Sequence, residues 1–269
     1  MNFSPSVQKH FLRTVVQKKI VEVVRAKLHS SLQSVRDRAL GEQSTRDFIG
    51  IFSSGFACIA EVKKRSPSRG LLSADFSPGK IARQYEQGGA SAVSVLTDGE
   101  FFGGTLEDLT QVKQVVSVPV LRKDFIVDEY QIYEARAHGA DAILLISEIL
   151  SGDEIQRFVE LARMLGMAAV VESHKPEGIE KAKTAGAQII GVNNRDLDDF
   201  TLDLEASFQM RPLIPDRIIA ISESGLRTSR DLQRLREAGY RGALIGETLM
   251  RVEDREHALR NLLESMKEG

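Results

Sequence analysis

Short, continuous apolar runs separated by helical stretches recur along this chain from about residue 57 onward. The runs are Ala57–Val62, Ala92–Leu96, Val118–Leu121, Ala142–Ile146, Ala168–Val171, Ile189–Val192, Ile218–Ile221 and Ala243–Ile245. A strand with one wet face alternates apolar and polar residues, whereas a run apolar throughout fits a parallel strand covered on both faces. Helical patterns lie between them, among them Thr105–Val116, Glu129–His138, Asp153–Leu165 and Ser229–Ala238. Ser151 and Thr228 suit helix caps, and Pro78 suits a first helical turn. Gly89-Ala90, Gly139-Ala140, Gly186-Ala187 and Gly239-Tyr240 each end a helical stretch just before a strand run. The repeat is roughly 25 residues and runs until eight strands are counted, which predicts a (β/α)8 TIM barrel. The 269 residues suffice for one, since such barrels take about 250. An open doubly wound sheet is the rival, but no G-x-G-x-x-G follows the first run.

The first 48 residues stand outside this repeat. In Val15–Ala26, Val15, Val16, Ile20, Val23 and Val24 form a helical stripe, with Lys18, Lys19, Glu22 and Arg25 opposite. Leu28–Leu40 continues in helical style. The predicted organisation is a helical extension over residues 1–48, packed on a catalytic barrel over residues 49–269. The extension covers one mouth of the barrel, or only stabilises it.

Composition removes several function classes. A net charge of −2 offers no electrostatic footprint for nucleic acid or an anionic membrane. Any bound anion must therefore be held by a local cluster. The single cysteine, Cys58, lies in an apolar run and is expected to be buried and inert. Five scattered histidines lack the spacing of a structural zinc site. His10, Arg13, Lys18 and Lys19 interrupt the N-terminal apolar residues, so no signal peptide is read. No run approaches a membrane span. A cytoplasmic protein without a metal is expected.

In such barrels the chemistry sits where the strands end, so the polar residues after each run come first. Alternation by two puts Ile59, Glu61 and Lys63 on the face of the first strand that points into the barrel. An acid and a base there are costly to bury unless paired or used; the plainer alternative is an internal ion pair with no other duty. The third strand exits at Lys123, the fifth at Glu172 and the sixth at Asn193, Asn194 and Arg195. Each alone could be a solvated loop residue; together they suggest one polar mouth. The seventh strand exits through Ser222, Glu223, Ser224 and Gly225, and the eighth through Gly246, Glu247 and Thr248. Small residues there let backbone N–H groups approach an anion, and barrels often bind phosphate after strands seven and eight.

Taken together, Glu61-Val62-Lys63-Lys64-Arg65-Ser66-Pro67-Ser68, Ser94-Val95-Leu96-Thr97-Asp98, Phe102-Gly103-Gly104, Leu121-Arg122-Lys123-Asp124-Phe125, Gly191-Val192-Asn193-Asn194-Arg195-Asp196-Leu197 and Ser222-Glu223-Ser224-Gly225 resemble the indole-3-glycerol phosphate synthase family of tryptophan biosynthesis. The resemblance extends over essentially the whole chain. It implies ring closure of 1-(2-carboxyphenylamino)-1-deoxyribulose 5-phosphate, with loss of CO2 and water and no cofactor. It also implies roles. Lys123 is the general acid of condensation; Lys63 steadies anionic groups of the substrate and serves as acid in dehydration. Glu172 and Glu61 are the carboxylate partners, either of which could take the final proton, and Asn193 orients by hydrogen bonding. Arg195 and Ser66 hold the substrate carboxylate, and Phe102 and Phe125 wall the aromatic ring. Ser224, Gly225, Gly246 and Glu247 take the phosphate through their amides.

Two positions depart from the expected pattern. Glu247 stands where some members have serine, so its carboxylate is expected to point away from the phosphate. Ser173 stands where an aliphatic residue is expected, which could alter the solvation of Glu172. The chain stops soon after the eighth helical stretch, so no fused second enzyme is expected, and a monomer acting on a small molecule is anticipated. The rivals are another phosphosugar barrel, of the phosphoribosylanthranilate isomerase or tryptophan synthase α kind, and a non-catalytic phosphosugar-binding barrel. The first does not need two rim lysines; the second should have lost Lys123 or Glu172.

Overall fold

The computed structural model describes residues 11–67, 69–73, 75–264 and 266. His10, Ser68 and the first ten positions of the extension lie outside the described residues. Eight parallel strands close into a barrel: β1 (Ala57–Val62), β2 (Ala92–Leu96), β3 (Val120–Lys123), β4 (Ala142–Ile146), β5 (Ala168–Ser173), β6 (Ile189–Asn193), β7 (Ile219–Glu223) and β8 (Gly242–Ile245). β8 returns to β1 in a register running from Ala57↔Gly242 to Ala60↔Ile245. Closure leaves no sheet edge, which excludes the open doubly wound rival. The third strand begins two residues later than its apolar run because Pro119 has no N–H for the ladder.

Twelve α-helices accompany the strands among the described residues: α1 (Phe11–His29), α2 (Leu32–Gly41), α3 (Pro78–Gln87), α4 (Gly99–Phe102), α5 (Leu106–Val115), α6 (Glu129–Ala137), α7 (Gly152–Met164), α8 (Pro176–Thr184), α9 (Glu205–Met210), α10 (Ser229–Glu237), α11 (Glu247–Met250) and α12 (Arg255–Glu264). Ser151 and Thr228 form full capping boxes with Glu154 and Asp231, so each satisfies an orphan amide at its helix start. Pro78 occupies the first turn of α3, where its missing N–H costs nothing. No described helix is long and apolar enough to cross a membrane.

The alternation of the strands sorts their side chains into two cores. Val93, Val95, Ile143, Leu145, Ile190 and Val192 face outward and pack under the helices. Ile59, Leu121, Leu144, Val170, Ile189, Ile221 and Leu244 face inward and fill the barrel. Phe48 and Phe52 meet edge to face, with ring centroids 6.1 Å apart, near the starts of β1 and β8.

α1 lies at the opposite mouth. The Phe11 ring packs against Phe101 at 5.1 Å and against Phe200 at 4.9 Å, each edge to face. The face of α1 that turns inward differs from the expected stripe. Phe11, Val15, Lys19 and Val23 are buried, whereas Ile20 and Val24 are about half exposed. Lys19, expected on the solvent side, is 1% exposed because two carboxylates of the barrel wait beneath it. Helix α1 also ends at His29 instead of running on: Ser31 caps α2, accepting from Ser34 N at 3.2 Å. α2 then packs on α6 through Val35 and Tyr130.

Candidate active site

The last inward-facing positions of five strands carry polar side chains: Glu61 on β1, Lys123 on β3, Glu172 on β5, Asn193 on β6 and Glu223 on β7. Alternation by two forces this, since each follows an apolar residue two places earlier on the same face, except Asn193, which follows Gly191. They open into one cavity of about 460 Å³ at the mouth of the barrel. All thirteen residues singled out from the sequence line that cavity: Glu61, Lys63, Ser66, Phe102, Lys123, Phe125, Glu172, Asn193, Arg195, Ser224, Gly225, Gly246 and Glu247.

Two lysines, paired with three carboxylates, organise its floor. Lys63 donates to Glu61 Oε1 across the exit of β1. Gly246 makes room for this pair: a Cβ there would overlap Glu61 Oε1 and sit 3.1 Å from Lys63 Nζ. Lys123 Nζ lies 2.7 Å from Glu172 Oε2 and 3.1 Å from Glu223 Oε2. Asn193 Nδ2 donates to Glu172 Oε1 at 2.9 Å, so this carboxylate is held from both ends.

Glu223 belongs to the site, although the sequence reading passed over it as part of a phosphate loop. The signal was present: Ile219, Ile221 and Glu223 share the inward face, so a carboxylate enters the barrel at the level of Lys123. Gly191 on β6 gives it space, as a Cβ there would overlap Glu223 Oε1. Glu172 and Glu223 are both fully buried and face one ammonium group between them, so one retains a proton. Burial raises the pKa of Glu223, and the neighbouring Glu172 charge raises it further against the pull of Lys123, up to about 8. Burial would also raise Glu172, but Lys123 and the amide of Asn193 outweigh it and hold this carboxyl below its ordinary value. Burial alone would lower the pKa of Lys123; Glu172, Glu223 and Glu61 reverse this and raise it. The two coupled carboxyl groups thus favour holding one proton between them, on the Glu223 side.

Phe102 on α4 and Phe125 after β3 form one wall, their ring centroids 6.1 Å apart and tilted by 39°. Ser66 Oγ is buried there without a hydrogen-bond partner. At the opposite side the chain leaves β7 through Ser224 and Gly225, both left-handed at φ +69° and +80°. Ser224 is strained in that conformation, and Asn194 fixes it by donating from Nδ2 to Ser224 O at 3.0 Å. Gly225 has no side chain to keep an anion from the backbone here.

Glu247 lines the mouth of the cavity, and its carboxylate is paired. Three guanidinium groups gather on it, from Arg251 at 3.0 Å, Arg69 at 3.4 Å and Arg195 at 3.7 Å. Arg195 also donates to Phe200 O of its own loop at 3.2 Å, while its contact with Glu247 reaches the β8 loop. Ser173 does not touch Glu172. It points to the opposite face of β5, where its hydroxyl donates to Glu148 Oε1 at 2.7 Å. Cys58 is buried outside the barrel lumen, with its thiol pushed up by burial to about 12, which makes it inert.

Comparison with known proteins shows the family of the chain. The profile of the family described as indole-3-glycerol phosphate synthase matches residues 12–262. Curated proteins of that name are similar along most of the chain. That of Endomicrobium trichonymphae is 45% identical over 90% of this chain and 95% of its own length. That of Sulfurimonas denitrificans is 43% identical over 93% and 97%, and that of Desulfotalea psychrophila 52% over 74% and 76%. Among solved structures, thiamine phosphate pyrophosphorylase from Pyrococcus furiosus shares the fold alone, with a TM-score of 0.61 and 16% identity over 81% of this chain and 98% of that one. By its barrel, its lysine–carboxylate mouth and its sequence, this chain belongs to the indole-3-glycerol phosphate synthase family.

Proposed function

We propose that this chain closes the ring of 1-(2-carboxyphenylamino)-1-deoxyribulose 5-phosphate to indole-3-glycerol phosphate, with the cavity residues in the following roles. Lys123 protonates the ketone oxygen of the sugar while the aromatic carbon that bears the carboxylate attacks the ketone carbon. Loss of CO2 returns the electron pair to the ring and restores aromaticity. Lys63 then gives a proton to the new hydroxyl, which leaves as water as Glu61 removes the proton from the adjacent carbon. This assignment follows the pairing in space: Lys123 works with Glu172 and Glu223, and Lys63 with Glu61. Glu61, once it has taken the carbon proton, returns one to Lys63, and Glu223 in its acid form returns one to Lys123, as acid–base catalysis requires.

Phe102 and Phe125 wall one side of the aryl ring, and Ser66 offers its free hydroxyl to the aryl carboxylate. The amides of Ser224, Gly225, Gly246 and Glu247 take the phosphate. Glu247 serves through its side chain as well, by drawing Arg69, Arg195 and Arg251 to the phosphate end. Its carboxylate is neutralised there by three cations, so it does not repel the dianion.

The observation that carries this reading is that Lys63 and Lys123 open into the same cavity as three buried carboxylates and the loops after β7 and β8. Turnover of the carboxyphenylamino substrate tests it, read as indole fluorescence. The chain contains no tryptophan, so no tryptophan emission of the enzyme overlaps that of the product. No emission from folded protein would overturn the reading. We further propose that the protein works as a cytoplasmic monomer.

A further inference from the structure

Lys19 is a buried cation with no part in the chemistry above. It projects from α1, and its Nζ lies 2.9 Å from Asp98 Oδ2 and 3.0 Å from Asp124 Oδ1. Glu22 on the same helix adds a half-exposed carboxylate at 3.0 Å. Each of the two buried acids also holds the backbone of a cavity wall. Asp98 Oδ1 accepts from Phe101 N at 2.7 Å and from Phe102 N at 3.2 Å. Asp124 Oδ1 accepts from Phe125 N at 2.8 Å, and its other oxygen accepts from Thr97 and Arg122. Asp124 directly follows Lys123. The two aromatic walls and the condensing lysine thus stand on loops whose acids meet at one ammonium group.

We propose that Lys19 is a positioning residue: it ties α1 to the loops after β2 and β3, and through Asp98 and Asp124 it sets where Phe102, Phe125 and Lys123 stand in the cavity. Stability alone is a poor reason for such a group. Burying an ion pair contributes little compared with well-packed apolar residues of the same volume. A charge that bridges two loops instead fixes their separation, and reacting groups tolerate little error in position. Arg122 is already matched by Asp124 and Glu134, so without Lys19 the carboxylate of Asp98 keeps its two amide donors but has no cationic partner among the described residues.

The inference rests on the ring-closure reading, and the two fail separately, because each Lys19 variant is compared with a wild type that turns over. The measurements are kcat, KM and the inhibition constant of inorganic phosphate as competitor. Lys19→Met is expected to lower kcat/KM by about 100-fold, the cost of a misplacement near 1 Å, while phosphate inhibition stays unchanged. Adding Asp98→Asn removes the unpaired charge and keeps an oxygen for the Phe101 and Phe102 amides but does not rebuild the bridge to Asp124, so the double variant is expected to keep most of the loss. Wild-type kinetics in Lys19→Met would overturn the proposal. So would phosphate affinity falling in step with turnover, or a deficit that Asp98→Asn repairs. Should Lys19→Met not fold, the double variant carries the test: a folded but slow protein supports the proposal, and near-wild-type turnover overturns it.

Discussion

Lys123 touches two buried carboxylates whose protonation states differ, and the clearest predictions at the residue scale follow from this. Lys123→Ala is expected to lower turnover by at least about 100-fold, the usual effect of losing a general acid. KM should change far less, because the aryl and phosphate contacts remain; steady-state fluorescence separates the two. Glu223 supplies the pH signature. Its folded pKa of about 8 exceeds an unfolded value of about 4.3. The folded chain therefore keeps a proton that the unfolded chain has lost between those two values. Stability from this site falls as pH rises across that window, and above about 8 a second buried anion faces Lys123. Glu223→Gln has no proton to lose. It is expected to flatten the decline of the melting temperature between about pH 4.3 and about pH 8 and to weaken the alkaline fall in activity. Parallel wild-type and variant profiles would refute this.

At the scale of elements, cap residues and strand parity were legible because they are local. Thr228 was readable as a cap from the sequence, and its box with Asp231 starts α10 directly after the loop read as the phosphate site. Thr228→Ala is expected to cost about 1 kcal/mol of stability, the typical value of such a cap, measurable by urea unfolding. Parity placed Glu61 and Lys63 at the mouth, and Glu172 was placed there by its position at the exit of the fifth run; parity applied to β7 reaches Glu223. Helix α1 shows where a local pattern fails. Val16, Ile20 and Val24 make as good a stripe as Val15, Lys19 and Val23; the two differ by one residue, a rotation of about 100°. Hydrophobicity favours the first stripe, and the acids Asp98 and Asp124 select the second. Those acids lie on other elements, so no window of sequence around α1 contains the information that turns it.

For the whole molecule, the question is how the first helices belong to the barrel. Phe11 and Val15 are part of the inner core, Lys19 is bonded to two barrel loops, and Val23 packs with Val35 and Tyr130. We therefore propose that the extension over residues 1–48 unfolds together with the barrel of residues 49–269. Far-UV dichroism and near-UV tyrosine dichroism should give one coincident urea transition; an early, separate loss of helix would contradict it. Sedimentation at the mass of one 29.8 kDa chain is expected for the proposed monomer. The exposed stripe of Ile20, Val24 and Leu28 on α1 makes this a demanding test.

Eight doubly covered strands, their order and the mouth at which the polar residues gather were determined by the sequence itself, because periodicity and chain direction are properties of neighbouring residues. Motif resemblance added the chemistry. Only the tertiary structure decided which face of α1 turns inward, that Glu223 shares Lys123 with Glu172, and that Glu247 collects three arginines. Each of these depends on charges brought together from distant parts of the chain. The energy of a buried charge is fixed by its partners in space, and a sequence does not state who they are until the barrel has closed.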